Sequence, residues 1–162
     1  MVDMVNQVKR LESTQLFKDW KVDNPQHYLS YIFYMTDDFP QVGYYDPDTD
    51  KITSFIMGSE IETSPDQKVF KKEGQVKPLK IDEVQITLIK ALEKARALQE
   101  EEYKAEEITK EIIVLQNIEQ GLVYNVTLVT ASFKLINIKL CANSGTVLEH
   151  NVSSVMDLGH QE

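Results

Sequence analysis

Val123-Tyr-Asn-Val-Thr-Leu-Val-Thr130 is followed by Lys134-Leu-Ile-Asn-Ile-Lys-Leu140, the turn Cys141-Ala-Asn-Ser-Gly-Thr146 and Val147-Leu-Glu-His-Asn151. Apolar residues alternate with polar ones in both longer runs, the period of a strand covered on one face. Tyr124, Val126 and Leu128 fall on the inward side of the first, and Ile136, Ile138 and Leu140 on that of the second. Asn125 and Thr127 face away. The same order returns earlier in the chain. Tyr28-Leu-Ser-Tyr-Ile-Phe-Tyr-Met-Thr36 leads to Gln41-Val-Gly-Tyr-Tyr45, the turn Asp46-Pro-Asp-Thr-Asp-Lys51 and Ile52-Thr-Ser-Phe-Ile-Met57. The turns begin at 46 and 141, a shift of 95 residues that also carries Tyr28 onto Val123 without a gap. A register held across four elements predicts duplication of one small unit. Asp50 and Gly145 take equivalent turn positions, and both are expected at positive φ, which Gly, Asn and Asp tolerate.

Outward from these runs, Val2, Val5, Val8 and Leu11 recur at helical spacing, so residues 2–15 read as an amphipathic helix. Phe17-Lys-Asp-Trp-Lys-Val22 alternates and reads as a strand, closed by the turn Asp23-Asn-Pro-Gln26. In the strand from Tyr28, the side chains of Leu29, Tyr31, Phe33 and Met35 share one face. Tyr28, Ser30, Ile32 and Tyr34 take the other, with bulk on both sides as in a central strand. Gly58 to Lys80 holds Ser64-Pro65, Lys71-Lys-Glu-Gly74 and Pro78 and reads as a boundary. Beyond it, Val84, Leu88, Ala91, Leu92, Ala95 and Leu98 form one stripe of a long helix. Glu111–Ile118 precedes the three closing strands. The fold expected is α+β: two tandem units, each a helix plus a four-stranded antiparallel sheet, with one continuous sheet as an option. The units span 1–60 and 80–158, with a linker or edge strand at 61–79 and a tail at 159–162.

Two segments carry a family likeness. Val123-Tyr124-Asn-Val-Thr with Ile138-Lys-Leu-Cys-Ala-Asn143-Ser144-Gly145-Thr-Val147 resembles the mark of the PepSY domain, a cystatin-like module of helix and curled antiparallel sheet. Tyr45-Asp46-Pro-Asp48-Thr49-Asp50-Lys-Ile52 is a looser copy. Asp50 replaces the glycine of the first copy, and Cys141 the usual aspartate of the second. The resemblance implies a module that binds or restrains another protein, often a hydrolase, and has no catalytic centre of its own.

Composition narrows the partners. Apolar residues make up 42% of the chain and charged residues 27%, an ordinary globular composition. Seventeen basic side chains face 26 acidic ones, a formal charge of −9. That field repels phosphate backbones and anionic lipid, so neither nucleic acid nor a membrane surface is expected as partner. Cys141 stands alone and cannot form an internal disulfide. The first residues lack the apolar core of a signal peptide, and no run approaches the roughly 18 residues needed to cross a bilayer. A cytoplasmic location is expected.

No catalytic residue, metal ligand set or cofactor motif stands out. Asp46, Asp48 and Asp50 have the opening spacing of a calcium loop, but Lys51 stands where the glycine is needed and Met57 where the glutamate should be. His27, His150 and His160 are too dispersed for a zinc site, and Cys141 has no neighbouring base in sequence. Phosphate-loop and nucleophile-elbow motifs are absent. Asn125-Val-Thr and Asn151-Val-Ser match the glycosylation pattern inside expected strands. The remaining signal is aromatic. Trp20, Tyr31, Phe33, Tyr44, Tyr45 and Phe55 crowd the first half, more than one short helix covers. Tyr28, Tyr34, Tyr44 and Tyr45 are the partner-binding candidates. The expected function is a non-catalytic binding or regulatory module that engages another protein or a second copy. The alternative is a carrier of a small apolar ligand on the concave side of the sheet.

Overall fold

Three side-chain caps set the helices of the computed structural model, which describes residues 3–68, 76–104 and 106–154. Asp3 accepts from the N–H of Asn6 at 3.2 Å and opens α1 (Met4–Glu12). Thr14 accepts from the N–H of Phe17 at 3.2 Å and opens α2 (Gln15–Asp23), and Thr87 does the same for α3 (Leu88–Glu102). Each cap satisfies a donor that the first helical turn leaves without a partner. The strand expected at 17–22 is therefore α2. Phe17 and Trp20 lie one turn apart and pack together at 5.6 Å between ring centroids, while Val22 is 78% exposed. The expected long helix begins later than Pro78: a short 3₁₀ turn (Ile81–Glu83) precedes α3.

The eight strands are β1 (Tyr28–Met35), β2 (Gln41–Asp46), β3 (Lys51–Met57), β4 (Ile61–Lys68), β5 (Ile108–Ile118), β6 (Gly121–Thr130), β7 (Lys134–Cys141) and β8 (Val147–Ser154). They form one antiparallel sheet in the order β4-β3-β2-β1-β5-β6-β7-β8. This corrects the expected pair of helix-plus-four-strand units. The α+β class holds, but the described residues form one mostly-sheet body with three α-helices. The joint is β1 against β5, from Tyr31 opposite Gln116 to Met35 opposite Ile112. Both strands carry apolar side chains on both faces, and such a strand is poorly suited to a sheet edge. Pairing them closes two edges at once, and a single buried cluster draws on all three helices and both halves. Of the expected linker or edge strand, 61–68 is the edge strand β4, while 69–75 and the tail 159–162 lie outside the described residues.

The turns at 46 and 141 do correspond. The N–H of Asp50 donates to the Asp46 carbonyl at 2.9 Å, and that of Gly145 to the Cys141 carbonyl at 2.8 Å. Asp50 and Gly145 lie at φ of 58° and 78°. Between the halves, the chain passes through the sheet. Where β1 and β5 part, Tyr28 donates its hydroxyl to the Val76 carbonyl on one face, while Leu79 enters the core on the other. The N–H of Leu79 bonds the Leu29 carbonyl at 2.8 Å, and Asn117 reaches the Pro78 carbonyl at 3.2 Å. Residues 76–80 thus fill the fork.

Candidate functional site: the helix-free face of the sheet

Alternation along the strands sorts every side chain to one of two faces. Ile32, Val42, Phe55, Ile113, Leu115, Val126 and Ile138 point towards the helices and are fully buried. No described helix covers the opposite face. The register there sets Gly43, Tyr31 and Gln116 in one row and Gln41, Phe33 and Val114 in the next. A β-bulge in β1 between Leu29 and Tyr31 divides the strand. Leu29 packs with the core, against the expectation that it shares a face with Tyr31, Phe33 and Met35.

The centre of this face is a tyrosine lying over a glycine. A Cβ placed on Gly43 would stand 2.0 Å from Cε1 of Tyr31, so the ring occupies the space that any other residue would fill. Aromatic cover of a strand glycine restores the packing that glycine lacks. The Tyr31 hydroxyl is joined to Ser54 Oγ at 2.7 Å, which fixes the ring at its far end. Around it opens a groove of about 510 Å³, lined by Tyr31, Phe33, Ile52 and Val114 with Ser30, Gln41, Gln116 and Val76. Among the described residues that line it, none is charged. Ser30 donates to the Gly43 carbonyl at 3.1 Å. The amides of Gln41 and Gln116 make no hydrogen bond to any described residue. Further along the same face Asn137 donates to Asn125 and Thr127 at 2.6 and 3.2 Å, so the amides there are partnered.

The four candidate tyrosines divide between the faces. Tyr44 is 2% exposed and sits among Phe17, Trp20 and Phe55, with ring centroids 5.0 to 5.8 Å away. Its hydroxyl donates to Glu12 at 2.9 Å; burial, reinforced by that carboxylate, raises its pKa well above the ordinary value. Tyr34 is half-buried against the same core. Tyr28 and Tyr45 lie on the helix-free side with ring centroids 5.5 Å apart, and Tyr45, 4% exposed, donates to Asp50 at 2.5 Å. Tyr44 and Tyr45 thus serve packing and offer almost no surface. Sequence marked Tyr31 only as one of the aromatic surplus and did not single out Gly43, Gln41 or Gln116. The available signal was a glycine inside an aromatic strand.

The remaining chemistry is dispersed. Asp46 accepts from the Asp48 N–H and the Thr49 hydroxyl, both at 2.9 Å, and from Gln26 at 3.1 Å. Burial would raise its pKa, but these bonds outweigh it and leave the carboxyl below its ordinary value. The aspartate turn is thereby bound up in itself. Cys141 shares the helix-free face with Val123, whereas His150 pairs with Ile138 on the helix side and bonds the Tyr103 hydroxyl at 2.9 Å. Thiol and imidazole therefore do not converge. Hydrogen bonding by the Ser144 hydroxyl, with the N–H groups of Ser144 and Asn143, lowers the Cys141 pKa. Among the described residues, no group of three His, Cys, Asp or Glu side chains is placed to hold a metal ion. No described helix is long and apolar enough to cross a membrane.

No family model matches the chain, and no curated protein does. Its fold is similar to the crystal structure of a "putative lipoprotein" from Clostridium difficile 630. The likeness has a TM-score of 0.56 at 13% identity and covers 85% of this chain and 90% of that one. At that identity it speaks for the fold alone.

Proposed function

We propose that the chain is a non-catalytic binding or regulatory module that engages its partner through the helix-free face. The observation that carries this reading is the groove around Tyr31, whose described lining residues are all uncharged in a chain of which 27% is charged. Exposed aromatic and aliphatic surface rimmed by polar groups is what binding surfaces share. The likeness to PepSY domains favours the same class, a module that holds or restrains something else. An enclosed apolar carrier is less favoured, because the groove is open and the space between helices and sheet is filled by Leu88, Leu92, Ile113 and Leu115.

The test places a charge in the groove. Tethered wild-type chain and the Val114→Lys variant are compared for what they retain from extracts of the source cell, after matching their thermal midpoints. The reading expects material held by the wild type and released by the variant. Equal retention by both dismisses this face.

A further inference from the structure

We propose that the groove on the helix-free face binds a neutral saccharide, an inference that rests on reading this face as the binding surface. Three features of the lining select the ligand. The first is a flat, immobile aromatic platform. Gly43 lets the Tyr31 ring lie down on the sheet, and Ser54 holds its hydroxyl at 2.7 Å, so the ring does not need ordering when a ligand arrives. A sugar ring presents a patch of C–H groups that packs on such a surface. Phe33 continues the platform along β1. The second feature is a pair of amides without partners. Gln41 and Gln116 flank the two rings at diagonal positions, two strands and one row apart, so strand spacing sets their Cα atoms roughly 12 Å apart. Each amide both donates and accepts, which is the combination that hydroxyl groups require. The third feature is that no described residue of the lining is charged.

Other ligand classes meet this lining less well. An acyl chain or sterol would cover both amides without replacing their hydrogen bonds to water, which costs affinity. An ionic ligand would find no opposite charge among the described lining residues. A peptide laid across the face would find the backbone groups of β1, β2 and β5 already paired within the sheet, leaving its own amides to two side chains. Only a ligand whose polar groups are many, neutral and bidirectional, and whose faces are C–H, meets all three features.

The experiment is saturation-transfer NMR on the whole chain with glucose, galactose, N-acetylglucosamine, cellobiose and maltose at millimolar concentration, and with glucuronic acid as the charged control. Transfer to the ring C–H protons of at least one neutral sugar is expected, with glucuronic acid weaker. Gln41→Ala and Gln116→Ala should each reduce affinity by about tenfold, the loss of one amide's hydrogen bonds. Both positions are partly exposed and make no internal bond, so these variants keep the fold. Absence of transfer to every neutral sugar overturns the proposal, as does affinity unchanged in both variants or glucuronic acid bound as tightly as glucose. If sugars fail while wild type but not Val114→Lys still retains material from extract, the saccharide is refuted and the face stands. If both fail, the face itself is refuted.

Discussion

Gly43→Ala tests the centre of the site by changing one methyl group. The new Cβ would stand 2.0 Å from Cε1 of Tyr31 and 2.5 Å from both Cδ1 and Cζ, distances that no small shift relieves. The ring must therefore leave the sheet. It loses the bond to Ser54, a contribution of about 1 kcal/mol. It also returns a patch of ring and strand to water; on the order of 50 Å² of apolar surface is about 1.3 kcal/mol. Replacing glycine within a strand gives back about 0.5 to 1 kcal/mol. The net cost is about 1.5 kcal/mol, which lowers the thermal midpoint of a chain this long by about 3 to 6 °C. Calorimetry on four proteins decides the matter: wild type, Gly43→Ala, Tyr31→Ala and the double variant. With the ring already gone, the alanine meets nothing. Gly43→Ala is then expected to be neutral or slightly stabilising, a coupling of about 2 kcal/mol between the two sites. Simple additivity of the two substitutions would refute the argument that the ring lies on the glycine.

Tyr44→Phe removes the hydroxyl donated to Glu12 and should cost about 1 kcal/mol near neutral pH. Because the folded state raises this tyrosine's pKa, its contribution is complete below the ordinary value of 10.0 and is lost as pH rises past it. Urea midpoints taken into the alkaline range should fall less steeply for the variant than for the wild type; parallel curves would count against the buried hydroxyl. Asp46→Asn acts at the other end of the scale. The depressed carboxyl contributes above its ordinary value of 3.8 and loses that contribution as pH falls through its lower folded value. The acid limb of the thermal midpoint should flatten in the variant, and an unchanged limb would contradict the bonds from Asp48, Thr49 and Gln26. Leu79→Ala removes the plug of the fork between β1 and β5 and should cost about 2 to 4 kcal/mol. Hydrogen exchange in this variant should rise in β1 and β5 together; acceleration confined to one of them would mean that residues 76–80 do not bind both.

What could be read from the sequence was local. Tyr124, Val126 and Leu128 alternate with residues that face away, so their inward side follows from period alone, and all three are buried. The positive φ of Asp50 and Gly145 follows from turn chemistry that only a few residues satisfy. Phe17-Lys-Asp-Trp-Lys-Val22 misled because a short helix with aromatics one turn apart also shows scattered apolar residues; the cap at Thr14 was the better signal. The bulge at Ser30 could not be foreseen, since an extra residue inserted into a strand leaves no mark on composition. The pairing of β1 with β5 joins residues about eighty positions apart, and the only trace it leaves is bulk on both faces of each strand. Tyr28 and Tyr45, named for their aromatic character alone, share the groove's face of the sheet but do not line the groove. Tyr31 over Gly43 is a cross-strand relation and becomes visible only once the register is known.

The corrected topology is also what makes the groove. Phe33 gains Val114 as its lateral neighbour, and Tyr31 gains Gln116, solely through the pairing of β1 with β5. Had the halves folded as separate sheets, Gly43, Tyr31, Phe33 and Gln41 would lie beside an open edge, with one amide and no apolar wall on the far side. Val76 reaches the groove because residues 76–80 run through the fork that this same pairing creates. The lining is therefore assembled from both halves and from the segment between them. A rearrangement that separated β1 from β5 would dismantle the groove while leaving each hairpin intact, so the groove lasts only as long as that one strand pair does.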